Sequence, residues 1–285
     1  DENILIGAGA AELINTLKHV VGLKLALTIP SFNEYVRCFP NKEITYINSA
    51  LNNYKLSLDN LLEVLNKVDT LIVISPDNPS GSHLKHEETI KLLEEAKRLG
   101  KQIIFDESFI DFADDNYTLI NDDILLKYPN LIVIKSISKS YGVPGLRLGI
   151  LATSNKEYLS IINNNLPVWN INSFAEYFLQ IINIYKKDYI KGCNKIKEER
   201  HRFYQELTKI KELSIYNSEA NYFMIKLNKG SSNELAEYLL TNNKILIKVL
   251  NDKNGFDDYE YIRIAIKTEE ENNILIDGIK NYYKK

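Results

Sequence analysis

Short apolar runs bounded by turn residues recur through the first half of the chain. Leu23–Ile29, Asp69–Ser75, Gln102–Asp106, Leu131–Lys135 and Leu148–Ala152 are brief, rich in β-branched residues and apolar nearly throughout, the pattern of buried strands. Between them, Ala11–Val21, Lys85–Leu99 and Asp122–Lys127 have helical spacing, and Gly100 marks a helix stop. Strand–helix alternation of this kind predicts an α/β domain with a largely parallel sheet. After about Asn155 the pattern changes. Long helical spacings cover Glu157–Asn164 and Ser173–Lys211. Strand-like Tyr222–Leu227, a helix at Ser232–Asn242, strands at Ile245–Leu250 and Tyr259–Ile266, and a helix at Glu269–Tyr282 follow. Residues 1–200 are expected to form a large domain and residues 201–285 a smaller α+β domain, with the long helices as the connection.

With 285 residues, 45% of them hydrophobic, the chain has enough apolar material for a substantial core. A net charge of −3 gives no electrostatic reason to expect nucleic acid or an anionic membrane as partner, and no apolar run reaches the length of a membrane span. Two cysteines, Cys38 and Cys193, stand far apart and in no metal-ligand spacing, which points to free thiols and a cytoplasmic setting. Asp1-Glu2-Asn3 lacks the basic and apolar regions of a signal peptide and leads within a few residues into a Gly-rich motif. An N-terminal arm is therefore expected to be missing. Only six of the 35 basic residues are arginine: Arg37, Arg98, Arg147, Arg200, Arg202 and Arg263. An arginine in an apolar segment of so lysine-rich a chain suggests bidentate recognition of carboxylate or phosphate.

Four segments carry candidate chemistry. In Ser136-Ile137-Ser138-Lys139-Ser140-Tyr141-Gly142-Val143-Pro144-Gly145-Leu146-Arg147, an apolar strand delivers a lysine among hydroxyls and glycines, and an arginine follows eight residues later. Burial near other cations would make that amine easy to deprotonate; a solvated lysine on a surface turn is the plainer alternative. Gly7-Ala8-Gly9-Ala10-Ala11-Glu12 opens a helix, whose first N–H groups can face an anion or simply cap the helix. It is no dinucleotide fingerprint, because Glu12 stands where the third glycine belongs. Ser75-Pro76-Asp77-Asn78-Pro79-Ser80-Gly81 follows one expected strand, and Asp106 closes another in Ile103–Phe112, both where open α/β sheets bind ligands. No His or Cys cluster accompanies Asp106, and His83 and His86 lie in a polar stretch that predicts solvated imidazoles, so no metal is expected.

Taken in order, Gly7–Glu12, Asn78-Pro79-Ser80-Gly81, Asp106-Glu107, Ser136-x-Ser138-Lys139 and Arg147 resemble the fold-type I pyridoxal 5'-phosphate (PLP) enzymes of the class I/II aminotransferase family. The resemblance implies PLP as cofactor, with Lys139 as the Schiff-base lysine and proton shuttle at the substrate Cα. It implies Asp106 as partner of the pyridine nitrogen and Asn78 as donor to the ring O3′. Ala10 and Ala11 (through backbone amides), Ser136, Ser138 and Arg147 would hold the phosphate. Phe32, in Pro30-Ser31-Phe32, matches the aromatic that stacks on the ring, and Arg263, in Tyr261-Ile262-Arg263-Ile264-Ala265, the arginine that grips the substrate carboxylate; a surface arginine on a strand edge is the alternative there. Phe109 departs from the family pattern, which often has a tyrosine donating a second hydrogen bond to O3′. A homodimer with a shared active site is also implied.

Asp106-Glu107-Ser108-Phe109-Ile110-Asp111-Phe112 and Pro167-Val168-Trp169-Asn170-Ile171-Asn172 look more like threonine-phosphate decarboxylases than like histidinol-phosphate aminotransferases. The favoured expectation is a decarboxylase of threonine phosphate or serine phosphate. A histidinol-phosphate-like aminotransferase is the alternative, and a PLP-binding member without turnover is the second.

Overall fold

A computed structural model describes residues 2–284; Asp1 and Lys285 lie outside the described residues. The chain runs β1 (Ile4–Gly7), α1 (Ala10–Thr16), β2 (Lys24–Ile29), α2 (Asn33–Cys38), β3 (Glu43–Asn48), α3 (Leu58–Leu65), β4 (Thr70–Ile74), α4 (His86–Arg98), β5 (Gln102–Asp106), α5 (Asp122–Lys127), β6 (Leu131–Ser136), the short α6 (Ile137–Ser140) and β7 (Gly149–Ala152). Helices α7 (Lys156–Asn164), α8 (Ser173–Ile181) and α9 (Lys186–Leu207) lead to β8 (Leu213–Ile215), β9 (Tyr222–Leu227), α10 (Ser232–Asn243), β10 (Lys248–Val249), β11 (Glu260–Ala265) and α11 (Glu269–Tyr283).

Seven strands form one sheet in the order β1-β7-β6-β5-β4-β2-β3. Strands β2 to β6 are parallel, while β7 runs antiparallel to both β6 and β1. The central strands are buried on both faces, so their middles are continuous apolar runs, with polar residues such as Gln102, Asp106 and Ser136 at their ends. One face packs Leu71, Val73, Ile103, Phe105, Leu131 and Val133 under α3, α4 and α5; the other packs Ile72, Ile74, Ile104, Ile132 and Ile134 under α1 and α7.

The second sheet, β10-β11-β9-β8, is antiparallel. Its strands alternate, as a sheet with two different faces requires. Phe223, Ile225, Ile262 and Ile264 face α9, α10 and α11, while Tyr222, Met224, Tyr261 and Arg263 face the seven-stranded sheet's domain. Helix α9 joins the two sheets, setting Cys193 against Phe109 and Phe112, and Phe203 and Leu207 in the C-terminal core.

The departures from the sequence reading have local causes. The helical stretch Ser173–Lys211 is broken by a 3-10 turn at Ile182–Tyr185, where a run containing three β-branched or aromatic residues weakens the α-helix. Of Ile245–Leu250, Lys248 and Val249 form the strand and Leu250 adds one backbone bond to Tyr261 of β11; Lys244 ends α10 in a left-handed conformation, and Ile245 to Ile247 lie outside the ladder. Strands β1 and β3, with α2 and α3, were not expected. The two histidines are not freely solvated. His83 Nδ1 lies 2.9 Å from Ser75 Oγ, and the His86 ring packs 3.8 Å from that of Tyr117.

Candidate active site

Strand polarity gathers the candidate residues. Parallel strands β4, β5 and β6 end at Ile74, Asp106 and Ser136, so the segment of Asn78, the carboxylate of Asp106 and the turn leading to Lys139 share one edge. Strand β7 starts at that edge because it is antiparallel. Its first residue, Gly149, is in register with Ser136 on one side and with Gly7 on the other, which places Arg147 and the Gly7–Ala10 turn beside Lys139's helix α6.

Two glycines make this approach possible. A Cβ on Gly149 would stand 2.4 Å from the Ala10 backbone nitrogen, and one on Gly9 would stand 2.6 Å from Arg147 Nη2. Gly9 also has φ of 93°, a conformation that side chains disfavour. The turn thus lies against the guanidinium, with the first N–H groups of α1, those of Ala10 and Ala11, directed out of the helix start. Ser136 is buried and takes its backbone N–H to Ser108 Oγ at 2.9 Å. The Ser138 hydroxyl accepts from the Leu148 backbone N–H at 3.2 Å, fixing α6 to the start of β7.

The arginines divide into two groups. Arg37, Arg98, Arg200 and Arg202 pair with Glu34, Glu95, Asp114 with Glu219, and Glu199 with Glu269 respectively. Arg147 and Arg263 have no carboxylate partner among the described residues. These two flank Lys139. Partial desolvation, then the positive charges of Arg263 and Arg147, hold its ammonium below the ordinary lysine range, although the side chain still reaches solvent.

Asp106 is 4% exposed. Its Oδ1 accepts from the Ser108 backbone N–H and its Oδ2 from the Tyr35 hydroxyl, both at 2.9 Å. Burial raises its pKa and these bonds oppose the rise. Each oxygen keeps a further lone pair, and a cationic N–H would stabilise the carboxylate. Asn78 Oδ1 accepts from Arg263 Nη1 at 2.6 Å. That bond leaves the Asn78 amide N–H free to donate elsewhere. Phe32 precedes α2 and contacts Tyr35 edge-on, with ring centroids 6.4 Å apart. Phe109 is buried edge-on against Tyr222, centroids 5.1 Å apart.

Below this edge, Lys135 is held by Asp111 at 3.0 Å and Glu107 at 3.8 Å. Burial disfavours its charge, but the two carboxylates outweigh burial and raise its pKa. Lys135 thus stays an ion-paired cation, unlike Lys139 four residues on. Tyr35, Lys135 and Tyr222 were missed as site residues. Tyr35 lies on the unexpected α2, and Tyr222 is distinguished only by strand alternation that sets it on Arg263's face.

These residues fit PLP. The cradle of Arg147 and the glycine turn suits a phosphate, Lys139 is an amine whose charge partial burial and two arginines disfavour, and Asp106 is a buried carboxylate with lone pairs to spare. No group of three or more His, Cys, Asp or Glu among the described residues could hold a metal ion.

Comparison with known proteins agrees. The family described as aminotransferase class I and II matches residues 1–279. An L-serine phosphate decarboxylase of Campylobacter jejuni is 34% identical, over 99% of this chain and 75% of that protein. The solved structure of a decarboxylase from Sulfurospirillum multivorans is 33% identical with a TM-score of 0.88, covering 99% of this chain and 82% of that one. A histidinol-phosphate aminotransferase from Clostridium acetobutylicum superposes with a TM-score of 0.89 at 29% identity, over 99% and 84% of the two chains. The fold is that of the fold-type I PLP enzymes, and the chain belongs to the class I and II aminotransferase family.

Proposed function

We propose that this protein is a PLP-dependent decarboxylase of an O-phosphorylated amino acid, serine phosphate or threonine phosphate. The observation that carries the proposal is the pair of arginines without carboxylate partners on either side of Lys139, one for the cofactor's phosphate and one for the substrate's carboxylate. Similarity to an L-serine phosphate decarboxylase along 99% of the chain supports the choice of reaction and substrate.

When bound, PLP supplies an electron sink for the pair left at Cα as the carboxylate departs as CO2. The chain's residues do the rest. Arg147, the amides of Ala10 and Ala11, and the Ser136 and Ser138 segment hold the phosphate end. Asp106 would keep the pyridine nitrogen protonated, Phe32 would serve as the aromatic against the ring, and the Asn78 amide N–H would be the donor to O3′. Lys139 Nζ anchors the cofactor and returns a proton to Cα after CO2 leaves. Arg263 would grip the carboxylate, and its orientation would set which bond at Cα is placed to break. Phe109 offers no hydroxyl, so O3′ lacks the second donor that many relatives provide.

The shared fold of a histidinol-phosphate aminotransferase keeps transamination as a second reading. Histidinol phosphate has no carboxylate, so it cannot use Arg263's fork as an amino acid does. Incubating holoenzyme with serine phosphate, threonine phosphate and histidinol phosphate separates the two. CO2 from either amino acid supports the proposal; a ketone from histidinol phosphate, with no CO2 from the others, overturns it.

We also propose a cytoplasmic homodimer with a shared active site and a division into domains at 1–200 and 201–285. Val168, Trp169, Phe174 and Tyr177 form an exposed apolar stretch at and before α8, with Trp169 93% exposed, and this suits an obligate interface. Both cysteines are free and buried, as a reducing compartment allows.

A further inference from the structure

Tyr222 has no part in the proposed chemistry, yet its ring lies against both Arg263 and Phe109. Its position follows from the β-ladder. Arg263 on β11 is in register with Met224 on β9, and Tyr222, two residues along from Met224, projects on the same face at the diagonal position. The Arg263 guanidinium carbon consequently lies 4.9 Å from the centroid of the Tyr222 ring. The ring is itself fixed at two places. Its hydroxyl donates to the Asp77 backbone carbonyl at 2.7 Å, and Phe109 meets it edge-on at 88°.

Arg263 is therefore constrained twice. The Asn78 bond holds Nη1, and the aromatic face holds the guanidinium by cation–π attraction. An arginine with one fixed nitrogen can still swing about it; a ring under the guanidinium removes that freedom. Nη2 and Nε then remain as a parallel pair of donors for a carboxylate.

We propose that Tyr222 is a positioning residue that fixes the orientation of Arg263 and thereby the direction of the substrate's Cα–carboxylate bond. This rests on the decarboxylase reading, because CO2 release is the outcome most sensitive to that direction. The balance is simple. The bond from Cα to the carboxylate carbon breaks, its electron pair stays at Cα, and one proton is added there. If the carboxylate turns, loss of the Cα proton competes instead.

The test compares Tyr222→Phe, Tyr222→Leu and a chain with pentafluorophenylalanine at position 222, all as holoenzymes with serine phosphate in deuterated water. The phenyl ring keeps the negative face under Arg263. Leucine removes the face, and fluorination reverses its polarity with little change of shape. CO2 release and deuterium uptake into recovered substrate are measured together. Tyr222→Phe is expected to keep the wild-type ratio within about twofold, while the leucine and fluorinated variants lower it about tenfold. A purely structural tyrosine would lower both rates in parallel. An unchanged ratio in the leucine and fluorinated variants, or an equal loss in Tyr222→Phe, overturns the proposal. Should the leucine variant fail to fold, the fluorinated one decides. If wild type releases no CO2, the decarboxylase reading fails by itself. Affinity for serine phosphate, read from cofactor absorbance, then tests Tyr222: fluorination must weaken it severalfold relative to phenylalanine, and equal affinities reject the role.

Discussion

Arg263 Nη1 donates a 2.6 Å hydrogen bond to Asn78 Oδ1, linking residues 185 positions apart and the two sheets of the protein. One asparagine amide thus holds the arginine by its oxygen, and on the proposed reading its nitrogen would be the donor to the cofactor ring's O3′. A charge-assisted bond of this length is among the stronger polar contacts. Arg263→Lys retains the charge and loses the planar fork, so CO2 release should fall at least about tenfold, and further than Cα-proton exchange does. Equal falls in the two rates would show that Arg263 contributes binding alone.

On the proposed reading, Lys139→Ala would remove the covalent anchor and the proton carrier together. Turnover should drop by about three orders of magnitude or more. Borohydride treatment followed by mass spectrometry should find cofactor mass on wild type and none on the variant. A variant that retains the adduct would move the anchor to another lysine.

The pKa of Lys139 is lowered by partial burial, then by Arg263, then by Arg147. Arg263→Gln removes the larger of the two repulsive charges, so the Lys139 pKa should rise. The pH at which apo-protein captures PLP at half its maximal rate should shift upward with it. No shift, or a downward one, would mean that the arginine's charge does not reach the amine.

Asp77 gives a prediction about stability. Burial pushes its carboxyl up to about 6, against the hydrogen bonds from Ser80. With its folded pKa above its unfolded one, Asp77's contribution is fully present below about pH 4 and is lost as pH rises through about 6. The loss is about 3 kcal/mol if the whole shift is expressed. Asp77→Asn should remove this component, so the wild type's melting temperature should decline relative to the variant's between pH 4 and 7. Parallel melting curves across that range would contradict the assignment.

Residues close together in sequence were the easiest to identify. Ser136, Ser138, Lys139 and Arg147 lie within twelve positions, and the arginine's charge reaches the lysine because one helical turn and an antiparallel return join β6 to β7 over that length. Asp106 and Asn78 were legible because buried parallel strands announce their own ends. The contacts made across the molecule were not. Tyr35 reaches Asp106 from α2, a six-residue helix too short for a periodic signal, and Tyr222 reaches Arg263 through β-ladder register. His83 looked solvated because its own neighbours are polar, while the partner that orders it, Ser75, directly follows the preceding strand.

The central claim is that the carboxylate, and not the Cα hydrogen, leaves. Serine phosphate deuterated at Cα tests it most directly in a single turnover assay with holoenzyme in ordinary water. The account predicts one CO2 per turnover and an amine product that retains the deuterium and gains one solvent proton on the same carbon. Loss of the deuterium with formation of a keto acid and the pyridoxamine form of the cofactor would contradict it.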